Sequence, residues 1–411
     1  MNKDKIQNKT NNKSPYRGDL GGLVIVIADD ITGAAEIAGV CLRYGLTVSF
    51  GIDTIPKIES DVRIIATDSR SASESEAYLI HSNLAKAIYS QLPTLVFKKC
   101  DSVLRGYVLT ELSALQEVSN LRKILLQPAN PATGRCIKEG IYHVGNEKIE
   151  NTGFSIDPDF PAHDSSVQNL LLQRSKRQEA NYSVHTGAIK KLNGQGLFIP
   201  DCNSVADLRE SSKMSSEKTL VCGSAAFFEQ ILIEKKIAKT IIKRTENGLM
   251  LKSFLLITGT THPESQRFAE KLKQIGCQVE KFPEQLLKEE LNENDFADWL
   301  NELKSKWCEN KILSIAISDK PIIFPNNQTE LKSRLSRVVA YLLKNCKVSE
   351  LLIEGGATTY SILKSLSFNS LNPGTEIGPG VLRMKVNNTD NLWLTIKPGS
   401  YPWPERIISW I

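Results

Sequence analysis

The sequence lacks several features that would assign it to a class at once. No apolar run approaches the ~18 residues that a membrane-spanning helix needs, which excludes a transmembrane protein and a membrane as the partner. Residues 1–20 are polar and contain no apolar stretch like that of a secretory signal, so we expect a disordered polar tail there. Basic residues exceed acidic ones only slightly, 51 to 46, which gives no reason to expect nucleic acid as the partner.

Cysteine pairs at metal-binding or disulfide-scaffold spacing are also missing. The eight cysteines are scattered over 411 residues without a C-x-x-C pair, and none of the five histidines belongs to a recognisable Cys/His ligand motif. This pattern disfavours both a disulfide scaffold and a zinc site. Reduced, buried thiols in a cytoplasmic protein are the simpler interpretation.

Several catalytic signatures are absent as well. The sequence contains no G-x-x-x-x-G-K-[ST], no G-x-G-x-x-G after the first predicted strand, no G-x-S-x-G and no protein-kinase set. An aspartyl phosphatase of the D-x-D-x-[TV] type is excluded, because Ala28 would occupy the position of the nucleophile. P-loop, dinucleotide-binding, serine-hydrolase and protein-kinase chemistry are therefore disfavoured.

What is present predicts an α/β fold with two α/β domains and mainly parallel sheets. Short β-branched runs such as Leu23–Ile27 and Leu95–Phe97 alternate with helical spacing such as Thr32–Tyr44. A basic polar stretch, Lys235–Lys252, separates two such series. We therefore expect an N-terminal domain over residues 21–248 and a C-terminal domain over residues 249–411. Strand signals are weak between Pro128 and Gly196.

Two polar segments follow strands of the first predicted sheet, where parallel α/β proteins bind ligands. Asp29 and Asp30 follow Leu23–Ile27. This pair could bind hydroxyl groups or a metal ion, and the alternative is that one carboxylate only caps the next helix. Lys98–Gly106 follows Leu95–Phe97 and contains a carboxylate, a hydroxyl group and a guanidinium that suit an acidic polar substrate; the alternative is an Asp–Arg pair within a turn. A third segment, Pro128–Arg135, by itself favours an ordinary surface turn.

The second predicted sheet is followed by glycines and hydroxyl groups. Thr258–Thr261 precedes a helix start, and Gly355–Thr359 repeats the order of strand, glycines, hydroxyl groups and helix. Glycines allow the backbone to approach a phosphate group, and helix starts attract anions. Gly374–Gly380 and Lys397–Ser400 add two more glycine-bearing stretches. Together they indicate a site for the phosphates of a nucleotide.

The order and spacing of these motifs resemble the four-carbon acid sugar kinase family from about residue 23 to residue 403. The family patterns are I-A-D-D-[FL]-T-G-A, K-x-D-S-T-x-R-G, P-A-[FY]-P-x-x-G-R, G-G-[DE]-T and K-x-G. The matching stretches are Ile27–Ala34, Lys99–Gly106, Pro128–Arg135, Gly355–Thr358 and Lys397–Gly399.

The resemblance implies an N-terminal sugar-acid-binding domain, a C-terminal nucleotide-binding domain and an active site in the cleft between them. It implies phosphorylation of the terminal (4-) hydroxyl group of D-threonate, D-erythronate or 3-oxo-tetronate by ATP, with Mg²⁺ bridging the phosphates. The residues expected to bind the sugar acid are Asp29, Asp30, Asp101, Ser102, Arg105, Gly134 and Arg135. Those expected to bind ATP are Thr258, Gly259, Thr260, Thr261, Gly355, Gly356, Ala357, Thr358 and Gly399.

Within this interpretation, Arg105, with Arg135, would hold the substrate carboxylate, and Asp101 or Asp30 would be the catalytic base. No metal ligand is assigned, and a homo-oligomer remains open. Two rivals remain: a kinase for another small hydroxy acid, and a catalytically silent sugar-acid-binding protein.

Three departures from the family pattern affect the nucleotide side. Ala357 replaces the acidic residue of G-G-[DE]-T, and this is the observation that keeps the silent binding protein open. Thr258–Thr261 replaces S-G-S-x-S but keeps its hydroxyl groups. Lys397–Trp403 replaces K-x-G-x-F-G, so the end of the nucleotide pocket is expected to differ.

Overall fold

A computed structural model describes residues 22–175, 183–238, 241, 253–287, 290–310, 312–317 and 328–410. The tail expected over residues 1–20 and the domain boundary expected at residues 248 and 249 lie outside the described residues. Among the helices that are described, none combines the length and apolar character needed to cross a membrane.

The first half of the chain alternates strands and helices, as its sequence pattern predicts. Its elements are β1 (Val24–Ala28), α1 (Ile31–Arg43), β2 (Val48–Ile52), β3 (Val62–Ala66), α2 (Glu74–Tyr89), β4 (Leu95–Lys99), α3 (Val108–Ser119), β5 (Lys123–Gln127), β6 (Arg135–Lys138), β7 (Ile141–Val144), β8 (Glu147–Lys148), α4 (Val167–Gln173), β9 (Val184–Gly187), β10 (Gly196–Pro200), α5 (Val205–Lys213), β11 (Thr219–Gly223) and α6 (Ala225–Glu234). Every residue of β1, β2 and β4 is buried, as parallel strands covered on both faces require.

The second half continues the alternation and then ends in antiparallel strands. Its elements are β12 (Phe254–Thr258), α7 (Pro263–Gln274), β13 (Gln278–Lys281), α8 (Glu293–Asn310), β14 (Ile312–Ala316), α9 (Gln328–Asn345), β15 (Glu350–Glu354), α10 (Gly356–Ser365), β16 (Ser370–Gly378), β17 (Val381–Val386) and β18 (Trp393–Lys397). Residue His262 caps α7, whose first residue is Pro263, a position that suits proline because no helical N–H is lost there.

The strands of both halves form one 15-stranded sheet, in the order β13-β14-β12-β15-β18-β17-β16-β2-β3-β1-β4-β11-β5-β10-β9. Pairing is parallel from β13 to β18 and from β2 to β9. The two parallel sections are joined by the antiparallel strands β17 and β16. The join to β2 is short: Ser370 lies opposite Gly51, and Leu371 lies opposite Phe50. The α/β fold class predicted from the sequence is therefore confirmed.

Two stretches differ from the expectation. The region from Pro128 to Gly196 contains a separate three-stranded antiparallel sheet, β6-β7-β8, whose strands have only two to four residues. The stretch expected to form a glycine loop at Gly374–Gly380 instead belongs to β16 up to Gly378. Proline lacks the N–H group that a paired strand needs. Pro373 is tolerated in β16 because, within the described residues, this strand pairs with β2 only at Ser370 and Leu371, so Pro373 has no partner on that side.

Candidate functional site

Three carboxylates meet around one guanidinium at the carboxyl ends of β1, β3 and β4. Arg70 lies in a short 3₁₀-helix after β3 and donates from Nε and Nη2 to Asp29 Oδ2, at 2.9 and 2.7 Å. Its Nη2 also donates to Asp30 Oδ1 at 3.2 Å, and its Nη1 lies 3.8 Å from Asp101 Oδ1. The structure thus brings together the three aspartates that the sequence analysis selected.

Arg70 itself was missed by the sequence analysis. The signal was present, because Arg70 comes shortly after the β-branched run of β3 (Val62–Ala66), just as Asp29 comes directly after β1. In parallel α/β proteins, ligands bind just beyond the carboxyl ends of the strands. The same rule applied to β3 would have identified Arg70.

The three carboxyl groups differ in their acidity. Burial raises the pKa of Asp29 against the attraction of Arg70. Burial also opposes ionisation of the other two aspartates, but nearby cations outweigh it: Arg70 and Lys99 lower the pKa of Asp30, and Arg105 with Arg70 holds the pKa of Asp101 well below its usual range. Asp29 Oδ1 is buried and accepts no hydrogen bond from any described residue.

Asp30 has the local role that the helix-capping alternative predicted, in addition to its place in this cluster. Its Oδ1 accepts a hydrogen bond from Gly33 N at 2.9 Å, and its Oδ2 accepts one from the Thr32 hydroxyl group. Asp30 therefore caps α1 while its carboxylate remains beside Arg70.

Asp101 likewise forms the turn-internal pair that the alternative predicted. Arg105 donates from Nε to Asp101 Oδ2 at 3.0 Å and from Nη2 to Asp101 Oδ1 at 3.1 Å. The N–H groups of Val103 and Arg105 donate to the same Oδ2 at 3.2 Å. Arg105 Nη1 donates to Asp157 Oδ2 at 3.4 Å. Both oxygens of Asp101 and the guanidinium of Arg105 are thus engaged within the protein.

Beside this cluster, a cleft of about 320 Å³ opens between the two halves of the chain. Its lining includes Glu36, Lys99, Ser102 and Arg135 from the first half and Tyr401 from the second half. The Tyr401 hydroxyl group donates to Glu36 Oε1 at 3.3 Å, and Lys99 Nζ lies 3.7 Å from Glu36 Oε2. Burial opposes the charge of Lys99, but Glu36, Asp29 and Asp30 outweigh it and raise the pKa of Lys99. The cleft therefore contains a protonated lysine.

The Pro128–Arg135 segment contributes one of its expected residues to the cleft. Arg135 lines the cleft and donates to the Ser102 hydroxyl group. Gly134 has a φ of +72° and packs against the turn at Gly145, whose N–H donates to Gly134 O at 2.7 Å. In this structure Gly134 shapes the turn beside the small sheet, while Arg135 and Ser102 face the cleft.

The residues expected to bind ATP lie at the carboxyl ends of the neighbouring strands β12, β15 and β18. Gly259 packs so closely on Thr358 that a Cβ atom on Gly259 would lie 2.0 Å from Thr358 Oγ1. A Cβ atom on Gly399 would lie 3.3 Å from Thr260 Oγ1. Gly355 has a φ of +97°, which favours glycine, and its N–H donates to Lys397 O at 3.0 Å.

These packing contacts bring Gly259, Thr260 and Gly399 next to the start of α10. The other residues expected to bind ATP lie at or just after the end of β12 (Thr258, Thr261) and at the start of α10 (Gly355, Gly356, Ala357, Thr358). A helix start of this kind offers free N–H groups to an anion.

The two sides of the site touch at Gly356. A Cβ atom at this position would lie 3.2 Å from Thr32 Cγ2 and 3.4 Å from Asp30 Oδ2. The start of α10 in the second half therefore lies directly against the aspartate that caps α1 in the first half. Groups suited to an acid and groups suited to phosphates occupy one site.

Comparisons with known proteins agree with this division. The family model described as "Sugar-binding N-terminal domain" matches residues 24–231, and the one described as "Nucleotide-binding C-terminal domain" matches residues 255–401. A D-threonate kinase of Salmonella typhimurium is 26% identical over 226 residues, which cover 51% of this chain and only 53% of that enzyme.

Two further comparisons extend over nearly the whole chain. A 3-oxo-tetronate kinase of Actinobacillus succinogenes is 24% identical over 408 residues, covering 92% of this chain and 96% of that enzyme. A crystal structure of a Salmonella typhimurium protein superimposes with a TM-score of 0.72 at 18% identity, covering 92% of this chain and 96% of that one. At this identity the structural likeness supports the fold alone.

Proposed function

Because the chain belongs to the four-carbon acid sugar kinase family, we propose that it phosphorylates the 4-hydroxyl group of a four-carbon sugar acid such as D-threonate, D-erythronate or 3-oxo-tetronate. The hydroxyl oxygen forms a bond to the γ-phosphorus of ATP, the bond to the bridging oxygen of ADP breaks, and the hydroxyl proton goes to a carboxylate. The contact of Gly356 with Asp30 carries the proposal, because it puts the phosphate-suited and acid-suited groups side by side.

In the proposal, Arg135 holds the carboxylate of the substrate, and the charge of Lys99, whose Nζ donates to Cys100 O at 2.9 Å, attracts it. Arg105 is already bidentate with Asp101, and Arg70 already binds Asp29, so both guanidiniums are committed to aspartates. The Arg135 guanidinium donates to the neutral Ser102 hydroxyl group, which leaves its charge to act on a ligand in the cleft. Arginine and lysine together offer several donors to a carboxylate.

Asp30 is the residue that we propose to accept the hydroxyl proton. It is the carboxylate next to Gly356, where the phosphates are expected, and among the described residues its Oδ2 accepts only from the neutral Thr32 hydroxyl group. Both oxygens of Asp101, in contrast, accept hydrogen bonds from the Arg105 guanidinium. A low pKa makes Asp30 a weak base, but phosphoryl transfer through a loose transition state relies mainly on positioning and charge. Asp30 then serves chiefly to orient the hydroxyl group.

The nucleotide side relies on backbone groups and on Mg²⁺ carried by ATP. Among the described residues, no group of three His, Cys, Asp or Glu side chains is arranged to hold a metal ion, because the three clustered aspartates are turned toward Arg70. This fits Mg²⁺, which is commonly bound through one or two carboxylates together with substrate phosphates. The ion would neutralise charge on the transferred phosphoryl group.

We also propose that the enzyme works in the cytoplasm. All eight cysteines are free, and Cys41, Cys100, Cys202 and Cys222 are buried, as thiols in a reducing compartment can be.

The test is ADP release on a panel of acids. Purified protein with ATP and Mg²⁺ is assayed with D-threonate, D-erythronate, 3-oxo-tetronate and matched three-, five- and six-carbon hydroxy acids. The proposal expects substrate-dependent ADP formation that is fastest with a four-carbon acid. Faster turnover of another chain length would support the kinase for a different hydroxy acid, and binding without ADP formation would support the silent binding protein.

A further inference from the structure

A buried ion pair lies beneath the carboxylate cluster and is not used by the proposed chemistry. Lys98 Nζ lies 2.8 Å from Glu111 Oε2, and both side chains have 0% exposure. Lys98 is in β4, and Glu111 is in the first turn of α3. Because both side chains are fully buried, neither can touch a substrate in the cleft.

The pair connects to the chain segments that carry the site. The Ser69 hydroxyl group donates to Glu111 Oε1 at 2.6 Å, and Ser69 immediately precedes Arg70. Lys98 Nζ donates to Lys99 O at 2.8 Å, next to the lysine of the cleft. A buried hydrogen-bonded network of this kind fixes the positions of its members, because breaking any bond leaves a desolvated polar group.

A second contact ties the same network to the first aspartate. The Thr67 hydroxyl group donates to Ala28 O, immediately before Asp29, at 2.8 Å, and its oxygen lies 3.1 Å from Ser69 Oγ. Arg70 N donates to Asp29 O at 3.3 Å. The segments after β1 and β3 are thus fixed to each other below the level of the Asp29–Arg70 pair.

Stability alone does not account for a buried pair. Removing two charges from water costs about as much as their attraction returns, and apolar replacements of similar volume are often neutral or stabilising. A role in orientation explains the contacts to Ser69 and Lys99 directly.

We propose that Glu111, held by Lys98, is a positioning residue that orients Arg70 through Ser69 and so keeps the three aspartates arranged for the sugar acid. Without this support, Arg70 would swing away from Asp29, and the carboxylates would repel one another. The inference rests on the proposed function, in that the ligand of this site is the sugar acid. Nucleotide binding in the second half should not depend on it.

Two double variants separate the hydrogen bond from the ion pair. Lys98→Met/Glu111→Gln and Lys98→Met/Glu111→Leu both remove the charges, but only glutamine keeps an acceptor for Ser69. We expect kcat/KM for the best acid to stay within about threefold of wild type in the first and to fall about tenfold or more in the second, with KM for ATP unchanged in both. Thermal unfolding checks that both remain folded.

The matched control is a second buried pair, Arg383 and Glu350, which are 7% and 5% exposed and joined by an Nε–Oε2 hydrogen bond of 3.2 Å. Glu350 begins β15, at the end of the strand away from Gly355. Arg383→Met/Glu350→Leu should leave kcat/KM for the acid unchanged. An equal loss in both Lys98/Glu111 double variants, or no loss in either, would overturn the Ser69 route.

A last pair of measurements tests the route without relying on the reaction alone. Ser69→Ala should lower kcat/KM in the wild-type background but add no further loss to Arg70→Ala, because both act through one group; additive losses would contradict this. Crystal structures of wild type and Ser69→Ala should show the 2.7 Å contact from Arg70 Nη2 to Asp29 Oδ2 lost in the variant. An unchanged contact would overturn the inference, whereas an inactive wild type would overturn only the proposed function.

Discussion

The two halves of the molecule build their sides of the site from different chemical groups. The first half uses charged side chains at the ends of β1, β3 and β4, with Arg70 between Asp29 and Asp30. The second half uses glycines, hydroxyl groups and the start of α10, where Gly259 packs on Thr358. Side-chain charges select a particular acid, whereas backbone groups suit the phosphates that all nucleoside triphosphates share.

The buried lysines of the two halves show the same contrast. Lys98 and Glu111 are 2.8 Å apart, and this attraction outweighs burial and raises the pKa of Lys98. Lys397 and Glu354 are 3.6 Å apart, and here burial prevails and lowers the pKa of Lys397. Lys397 Nζ instead donates to the carbonyl oxygens of Pro398 and Tyr401, at 3.0 and 2.6 Å. Lys98 thus pairs with a carboxylate, whereas Lys397 binds the backbone of the loop that follows β18.

The largest expected effect comes from Asp30→Asn. If chemistry depends on the first half and nucleotide binding on the second, kcat should fall about 10³-fold while KM for ATP stays within about twofold. Steady-state kinetics with both substrates measure this. The control is Asp61→Asn. Asp61 accepts a hydrogen bond from Thr47 N at 2.8 Å at the amino ends of β2 and β3, away from the carboxyl ends that carry the site. A parallel loss of ATP affinity would break the division between the halves.

The next effect is on stability and is specific to the first half. Burial lowers the pKa of His81 to about 4, against the attraction of Glu111. Between pH 6.5 and 4 the unfolded chain therefore binds a proton that the folded chain does not, and the free energy of unfolding should fall by up to about 3 kcal/mol as the pH falls. Denaturant unfolding of wild type and His81→Gln at pH 7 and pH 4.5 should show the loss only in wild type.

Asp68 provides a control of opposite sign for this measurement. Burial raises the pKa of Asp68 to about 6, so between pH 6 and 3.8 the folded chain binds the extra proton. In wild type, this proton raises the free energy of unfolding as the pH falls through this range. Asp68→Asn should abolish that gain. Equal pH dependence in wild type and both variants would show that neither group is held in the environment described.

A smaller effect, on the nucleotide side, is expected for Gly259→Ala. The added Cβ atom would overlap Thr358 Oγ1 at 2.0 Å, and overpacking of this kind costs about 1–3 kcal/mol. KM for ATP should rise about tenfold, while the affinity for the acid, measured by calorimetry without nucleotide, should not change. Gly153→Ala is the control, because no other atom lies within 4 Å of its Cβ position. A loss of acid affinity would show that the two sides are not separable.

The smallest expected effect concerns a contact between the halves. Tyr360 in α10 donates from its hydroxyl group to Asp53 Oδ2 at 2.5 Å, just after β2. Tyr360→Phe should lower the free energy of unfolding by about 1 kcal/mol and leave both KM values within twofold. Lys364→Met, which removes the 2.6 Å contact to the same oxygen, is the comparison variant. A large change in either KM would indicate that the contact of Tyr360 with Asp53 also fixes the shape of the cleft.

The parts of the fold that were predictable from the sequence are those in which local pattern and tertiary environment agree. The expected strands Leu23–Ile27 and Leu95–Phe97 correspond to β1 and β4, and the helical spacing over Thr32–Tyr44 corresponds to α1, each within two residues at either end. The strands of the small sheet were missed because runs of two to four residues carry too little periodicity. Strand β16 was missed because Pro373 and Gly374 are typical of turns, and only pairing with β17 makes them a strand.

The same distinction holds for the site. Asp29, Asp30 and Asp101 could be selected because each follows a buried apolar strand, and Arg70 was available by the same reasoning. The ion pair of Lys98 with Glu111 could not be predicted from the sequence, because it depends on which side of α3 faces β4. The engagement of Arg105 by Asp101 was foreseen only as an alternative, because spacing alone does not show whether a turn-internal pair or a ligand engages the guanidinium.

The seam between β2 and β16 has a consequence for motion. Within the described residues, the β-ladder between the two halves consists of two residue pairs, Ser370 with Gly51 and Leu371 with Phe50. If the walls of the cleft close around a bound ligand, as the proposed function expects, this narrow ribbon would twist, and side-chain contacts that bridge the halves, such as that of Tyr360 with Asp53, would resist the torsion.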